Sequence, residues 1–443
     1  MSRLFGTDGI RGVANVDLKP TLAYALGRAA AHRLAGDGRP IVVGQDTRRS
    51  GDMFAAAITA GATSLGADVH SVGVVPTPAL AFLARNGPFA AGIMVSASHN
   101  PADDNGLKVL DDAGLKLDDA IEAEVEDLIW REGELVGVTN GAIGRRWEAS
   151  GLVQDYVDHR RQLASSIAAD GVRIVLDGAN GSGSVVAPGI LAATGASVVA
   201  IHAEPDGINI NVHCGATDPA SLAEAVVARG ADVGFALDGD ADRLIAVDAG
   251  GRVVDGDQVL GILALDRLSR GELPGGLVVS ILSNGGLQAV VERAGGHVVR
   301  TPVGDKYILD GMQVSGATLG GEKSGHVIVM EHTTSGDGIV TALEVLRVMA
   351  RRGASLADLA AEIPMLPQQQ RAVPARHKDQ WEGDRVLGQA IAEATARLGA
   401  HGRVLVRPSG TEPALRVMVE GDDDVLVSEL ADALAALAGE RLH

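Results

Sequence analysis

Three carboxylates occupy alternate positions in Asp238-Gly-Asp-Ala-Asp-Arg243. In an extended segment that spacing puts all three on one side of the chain. Carboxylates crowded in this way repel one another unless a cation holds them, and their hard oxygens suit Mg²⁺ or Mn²⁺. A calcium-binding EF-hand loop would need glycine at its sixth position and glutamate at its twelfth, where this chain has Arg243 and Ala249. A solvated acidic turn is the plainer alternative. Against it, the triplet follows the apolar run Ala231–Leu237, which predicts a buried strand, and ligand sites concentrate at the ends of such strands.

Three further segments carry usable chemistry. Ser96-Ala-Ser-His-Asn-Pro101 follows a predicted strand at Ala91–Val95. It can present a hydroxyl to a ligand or satisfy a turn, and it lacks the Gly-x-Ser-x-Gly elbow of hydrolases. Lys108 follows it, one of only six lysines in the chain. Arg407-Pro-Ser-Gly-Thr-Glu-Pro413 gathers a guanidinium, the hydroxyls of Ser409 and Thr411, and a backbone opened by Gly410. Such a turn can cradle a phosphate. Gly320-Gly-Glu-Lys-Ser-Gly-His326 is not a P-loop, because Glu322 stands where the phosphate-binding lysine should be. Glu322 and Ser324 suit sugar hydroxyls, and His326 suits proton transfer, with a satisfied, partly buried histidine the simpler account of His326 taken alone. Gly178-Ala-Asn-Gly-Ser-Gly183 makes a poor dinucleotide fingerprint. His213-Cys214 is at most a soft metal pair, with a structural thiol the simpler account.

These motifs need a scaffold. With 443 residues the chain is long enough for about three domains. Its net charge of -19 argues against a nucleic-acid or anionic-membrane partner. With 5 Phe, 3 Trp and 3 Tyr, the core must be built from Ala, Val, Leu and Ile. A single cysteine, Cys214, excludes an internal disulfide. No signal-peptide or transmembrane pattern occurs, so a cytoplasmic location is expected.

Short Val/Ile runs alternate with Ala/Leu-rich amphipathic stretches. Strands are predicted at Ile41–Gly44, Asp68–Val75, Ala91–Val95 and Leu107–Leu110, with helices at Thr21–Ala35, Asp52–Leu65, Pro78–Arg85 and Asp118–Trp130. The Gly-rich stretch Glu132–Arg146 places a boundary near 150. A second unit has strands at Val172–Asp177, Ser197–His202 and Ala231–Leu237. A third has strands at Leu277–Leu282 and His297–Arg300 and a helix at Gly338–Arg351. Pro364–Pro374 reads as a linker or an entering edge strand. A small unit follows, with helix Trp381–Leu398, strands Val404–Arg407 and Leu415–Glu420, and helix Val425–Ala438. The expected domains are 1–150, 151–252, 253–365 and 366–443.

Taken in order, Phe5-Gly-Thr-Asp-Gly-Ile-Arg-Gly12, Ser96–Pro101, Asp238–Arg243, Gly321–His326 and Arg407–Pro413 resemble the α-D-phosphohexomutase superfamily. Each motif is short, but five in sequence are specific, and together they span nearly the whole chain. The resemblance implies an α/β fold: three similar α/β domains with mixed sheets plus a smaller C-terminal α+β domain around a central cleft. It implies that Ser98 carries a phosphoryl group, that Ser96 does not, and that Ser98, Asp238, Asp240 and Asp242 hold Mg²⁺. Arg243 then matches an arginine that helps hold substrate or phosphoserine, and Arg11 and Lys108 match basic residues near the serine, Lys108 and His326 being acid/base candidates. Glu322 and Ser324 match sugar contacts, and Arg407, Ser409, Gly410 and Thr411 the loop that grips the distal phosphate.

The opening motif and Gly410, where phosphomannomutases and phosphoglucomutases usually have Asn, resemble the hexosamine-phosphate branch. The implied reaction interconverts glucosamine 6-phosphate and glucosamine 1-phosphate through a hexosamine 1,6-bisphosphate, and a mobile fourth domain would retain that intermediate. The implied partners are small-molecule sugar phosphates, and a homodimer is compatible with the chain. Ala241 and Lys323 depart from the residues common at those positions. The alternatives are a phosphomannomutase or phosphoglucomutase, a Mg²⁺-dependent phosphatase with Asp238 as nucleophile, and a sugar-phosphate-binding regulator.

Overall fold

Continuous Val/Ile/Ala runs favour strands buried on both faces. They form the centres of three mixed sheets in a computed structural model, which describes residues 4–6, 8–409 and 413–443. The first sheet contains β1 (Ile10–Val13), β2 (Ile41–Gln45), β3 (Val69–Val74), β4 (Ala91–Val95), β5 (Asp104–Leu110) and β6 (Arg146–Glu148), in the order β1-β5-β4-β2-β3-β6. The second contains β7 (Arg173–Asp177), β8 (Ser197–Ile201), β9 (Val233–Leu237), β10 (Leu244–Asp248) and β11 (Val253–Val254), in the order β11-β10-β9-β7-β8. The third contains β12 (Leu277–Ser280), β13 (Val298–Thr301), β14 (Leu319–Gly321) and β15 (Val327–Val329), in the order β13-β12-β14-β15.

One device recurs in all three sheets. A strand paired in parallel on one side turns back into an antiparallel neighbour: β4 into β5, β9 into β10 and β14 into β15. The connections are residues 96–103, 238–243 and 322–326, which contain the serine, triple-aspartate and Glu-Lys-Ser-Gly-His motifs. Two strands absent from the expected set, β10 and β15, are the returning arms. They follow the polar motifs immediately and are only five and three residues long. The Gly-rich stretch before residue 150 also ends in an unexpected strand, β6, parallel to β3.

The scarcity of aromatics is met by alanine and glycine. Helices Pro20–Leu34 and Gly51–Ser64 touch backbone to backbone. A Cβ on Gly27 would lie 2.2 Å from the carbonyl oxygen of Ile58, and one on Gly61 would lie 2.1 Å from that of Tyr24. Only glycine permits that approach.

By packing, the chain divides into two compact units, Met1–Ile281 with Gly296–Glu362, and Leu282–Gly295 with Ile363–His443. The three mixed sheets lie in the first. The second holds an antiparallel sheet of β16 (Gln368–Pro374), β17 (Arg403–Pro408) and β18 (Ala414–Glu420), in the order β16-β18-β17. The proline-bounded segment is therefore an edge strand. Helices Arg385–Leu398 and Asp424–Leu442 contribute Leu387, Leu398, Leu430 and Leu434 to a core with Val417 and Val419. The first of these helices starts later than the expected Trp381, because the Asp384 side chain caps it, accepting from the N–H groups of Val386 and Leu387. Residues 378–383 form a 3₁₀ turn instead. No helix among the described residues is long and apolar enough to cross a membrane.

Candidate active site

The serine loop is held in a conformation that its sequence alone would not favour. Ser98 has φ 52°, in the left-handed region, and is fully buried. Its N–H donates to Ser96 Oγ at 2.9 Å, and Ser96 Oγ donates to Asp46 Oδ2 at 2.6 Å. Ser96 is thus committed to the loop, while the Ser98 hydroxyl is turned outward to Asp238 Oδ2 at 2.5 Å. Arg48, also buried, makes an ion pair with Asp46 at 3.0 Å and donates to the carbonyl oxygens of Ser98 and Asn100, each at 2.9 Å, and of Pro101. The Asn211 side-chain amide adds a second donor to Ser98 O at 2.9 Å.

These supporting residues were missed in the sequence because they lie far from the motif along the chain. Their one local signal is a charged cluster, Asp46-Thr-Arg-Arg49, at the end of a buried strand. Replacing Arg48 with methionine would leave Asp46 buried without its cation. We expect a loss of about 3–5 kcal/mol of stability, read by denaturant unfolding. Arg48→Lys would recover little, since an ammonium cannot span the three carbonyls and the carboxylate.

The aspartate triplet lies in a turn rather than an extended segment. Ala241 N–H donates to Asp238 O at 3.0 Å, and Ala241 has φ 59°. Glycine would suit that conformation without strain, and alanine accepts it at some cost. Curling the loop brings the three carboxylates together within 4.8 Å of one another, all buried. Asp240 Oδ2 accepts from Thr77 Oγ1 at 2.6 Å and Lys108 Nζ at 2.9 Å. The other oxygen of Asp240 and Oδ1 of Asp242 have no hydrogen-bond partner among the described residues. Burial, then Asp242 and Asp240, push the Asp238 carboxyl well above the usual carboxylate range. Buried oxygens without donors and a destabilised carboxylate are what a site for a hard divalent cation requires, so the residues fit one.

Basic residues line the same place. Lys108, on β5, is buried; besides Asp240 it lies 3.4 Å from Asp8 and 3.6 Å from Asp242. Burial opposes its charge, but Asp240, Asp8 and Asp242 outweigh that and hold it protonated. Arg11, on β1, pairs with Asp8 and reaches Asn100 Oδ1 at 3.4 Å. Arg243 Nε stands 3.8 Å from Asp242. Lys116 pairs with both Asp8 and Asp305. Asp8, Lys116 and Asp305 therefore join the site, and only Asp8 lies inside a motif singled out in the sequence. His99 Nδ1 is 3.3 Å from the Ser98 hydroxyl. Burial, helped by Arg243 and Arg11, lowers the His99 pKa to about 4, so its ring is neutral at pH 7.

The loop between β14 and β15 joins this cluster through its backbone, since Leu244 N–H donates to Gly325 O at 3.0 Å and Arg243 forms a β-bridge with His326. His326 is buried, and its Nε2 accepts from Gly336 N–H at 3.2 Å, which assigns the ring proton to Nδ1. Glu322 accepts from Gly304 N–H at 3.1 Å, and Ser324 is exposed. A cavity of about 240 Å³ is lined by Lys108, Lys116, Asp242, Asp305 and His326, with Leu309 and Ile328 on its apolar side.

In the second unit, Arg407 lies on β17. Ser409 is buried, its N–H donating to Ala414 O at 2.8 Å, with no hydrogen-bond partner for its Oγ among the described residues. Gly410 and Thr411 lie outside the described residues. His213 and Cys214 do not form the soft metal pair that was the weaker of the two readings: His213 is exposed beside Asp218, while Cys214 is a buried thiol near Asp177 and His202. Burial, then Asp177 and Asp218, push the Cys214 thiol up to about 12.

Family models described as phosphoglucomutase/phosphomannomutase domain I, domain II, domain III and C-terminal domain match residues 2–135, 154–251, 255–366 and 370–437. The chain belongs to the phosphoglucomutase/phosphomannomutase family. Its architecture is that family's four-domain α/β arrangement, with mixed sheets in three domains and a smaller C-terminal domain. Phosphoglucosamine mutase of Desulforamulus reducens is 46% identical over 443 residues, covering 99% of this chain and 100% of that protein. Phosphoglucosamine mutase of Moorella thermoacetica is 50% identical over 441 residues, covering 99% and 98%. Among solved structures, a phosphoglucomutase/phosphomannomutase family protein of Burkholderia thailandensis superposes with a TM-score of 0.84 at 25% identity, covering 100% of this chain and 99% of that one. The N-acetylphosphoglucosamine mutase of Aspergillus fumigatus, solved with GlcNAc-6P and magnesium, shares the fold with a TM-score of 0.71 at 19% identity, covering 99% and 95%.

Proposed function

We propose that this chain is a phosphoglucosamine mutase, working through a phosphorylated Ser98. The observation that carries the reading is the Ser98 hydroxyl, held 2.5 Å from the first carboxylate of a buried aspartate triplet whose other members face Lys108 at 2.9 Å and Arg243 at 3.8 Å. Full-length relatives 46–50% identical support the amino-sugar substrate. The same reading divides the chain into domains 1–150, 151–252, 253–365 and 366–443.

The reaction consists of two phosphoryl transfers. In the first, the bond between Ser98 Oγ and phosphorus breaks as O1 of glucosamine 6-phosphate bonds to that phosphorus. The 1,6-bisphosphate turns over within the site, and its 6-phosphoryl group passes back to Ser98. Glucosamine 1-phosphate leaves and the phosphoenzyme is restored. Asp238, Asp240 and Asp242, with the phosphate on Ser98, would hold Mg²⁺, which when bound offsets charge on the transferring group.

The chain's own residues supply the rest. Lys108 and Arg11 place fixed positive charge beside the transferring group, and Arg243 holds the phosphoserine or the substrate phosphate. Lys108 is the first candidate to exchange a proton with the sugar hydroxyl once phosphate and cation have rebalanced the carboxylates around it, and His326 Nδ1 is the second. Glu322 and Ser324 take the sugar hydroxyls. Arg407, Ser409, Gly410 and Thr411 grip the distal phosphate, reading phosphate rather than ring so that either end of the sugar is accepted.

The phosphorylated enzyme should turn over glucosamine phosphate with a kcat/KM at least about tenfold above that for glucose or mannose phosphates. That ratio corresponds to about 1.4 kcal/mol of differential binding in the transition state. Equal or greater turnover of mannose phosphate would replace the amino-sugar assignment with a phosphomannomutase.

A further inference from the structure

A second group of metal-binding side chains lies outside the aspartate triplet. β7 is the first strand of its sheet, with β8 on one side and β9 on the other. The strand order therefore reverses at β7, and ligands bind at the carboxyl ends of strands at such a point. Asp177 ends β7, His202 follows β8, and Cys214 arrives on the loop from residue 209 to 215. A carboxylate oxygen, a ring nitrogen and the sulfur lie within 4.8 Å of one another. Asp177 and Cys214 are fully buried, while the His202 side chain is 31% exposed and leaves a path from solvent.

The His202 Nδ1 atom is the second observation. It is buried and 3.2 Å from Asp177 Oδ1, yet outside hydrogen-bond geometry. Asp177 keeps lone pairs after accepting from Ala179 N–H at 2.9 Å and Gly215 N–H at 2.8 Å.

We propose that Asp177, His202 and Cys214 form a second cation site, for a zinc-type transition metal. Thiolate, imidazole and carboxylate together select such an ion over Mg²⁺, and a fourth, open position is left to water. Bonds of about 2.0–2.3 Å in a tetrahedron set the donor atoms roughly 3.3–3.7 Å apart; His202 Nδ1 and Asp177 Oδ1 already meet at 3.2 Å, and the sulfur has to close from within 4.8 Å. On binding, the hexahydrated ion keeps one water and releases five as O, N and S take the other three tetrahedral positions, and the thiol proton passes to solvent. The same loop carries Asn211, whose amide donates to the carbonyl oxygens of Ser98 at 2.9 Å and Asn100 at 3.2 Å. A metal here would brace the segment that supports the serine loop without touching the reacting atoms.

The test is a Co²⁺ titration of the reduced, chelator-stripped full chain, with Mg²⁺ in excess to occupy the triplet. The expected result is a thiolate-to-cobalt charge-transfer band that saturates at one equivalent and is displaced by Zn²⁺. Cys214→Ala should abolish the band, and Asp238→Asn should leave it in place. His202→Ala, at a half-buried position, should weaken the Co²⁺ affinity at least tenfold and decides the matter if Cys214→Ala folds poorly. Absence of the band at stoichiometric Co²⁺, its persistence in Cys214→Ala, or unchanged affinity in His202→Ala would overturn the site. The readout does not depend on mutase activity, so it stands or falls apart from the proposed function.

Discussion

Ser98→Ala is expected to lower mutase turnover by at least about 10⁴-fold, because removing a nucleophile removes the covalent route itself. Among the described residues, the nearest hydroxyl along the chain cannot take over. Ser96 Oγ is only two residues away, but it is occupied by Asp46 and by the Ser98 N–H, and its displacement would unmake the loop. The fold should survive, since alanine meets the same left-handed φ of 52° that serine does. Melting temperature should therefore change little while activity vanishes. Intact-mass measurement after incubation with glucosamine 1,6-bisphosphate should show one added phosphate on the parent and none on the variant.

Asp238→Asn should separate stability from activity. In the cation-free protein the Asp238 carboxylate is disfavoured by burial and by Asp242 and Asp240. A neutral amide of the same shape removes that cost, so with chelator present the variant should melt above the parent. The sign with pH follows from the raised pKa in the folded state. The cost exists where the unfolded carboxyl is ionised, and it disappears as the parent's Asp238 takes up a proton. The variant's advantage should therefore shrink as pH falls through the raised value toward the ordinary 3.8. Added Mg²⁺ should reverse the order, raising the melting temperature of the parent far more than that of the variant. Turnover should fall by about 10²–10³-fold, the scale associated with losing one preorganised electrostatic contact. Parental turnover with an undiminished Mg²⁺ response would remove Asp238 from the metal site.

The chemistry was legible in the sequence wherever one short segment contains it. Asp238, Asp240 and Asp242 are recognisable from their types and spacing, although the curl at Ala241 was not, because a left-handed alanine carries no local signal. Lys108 stood out through the rarity of lysine, but its burial between three carboxylates depends on Asp8 and on two residues more than 130 positions away. Arg48, Thr77 and Asn211 were not legible for the same reason: each acts on a loop brought to it by the fold. The strands β10 and β15 were hidden by their length, since three to five apolar residues beside a polar motif establish no period. Cys214 was read with its sequence neighbour His213, whereas the parallel pairing of β7 and β8 sets Asp177 beside His202, and a separate loop, tied to Asp177 through Gly215 N–H, delivers Cys214 to both.

The most direct test is a single turnover of enzyme carrying a labelled phosphoryl group on Ser98, mixed with unlabelled glucosamine 6-phosphate. The label should leave Ser98, appear first in the 1,6-bisphosphate and then in glucosamine 1-phosphate, while the 6-phosphoryl group of the substrate re-phosphorylates Ser98. Release of the label as inorganic phosphate, or its recovery on Asp238, would contradict a phosphoserine mutase and support a phosphatase.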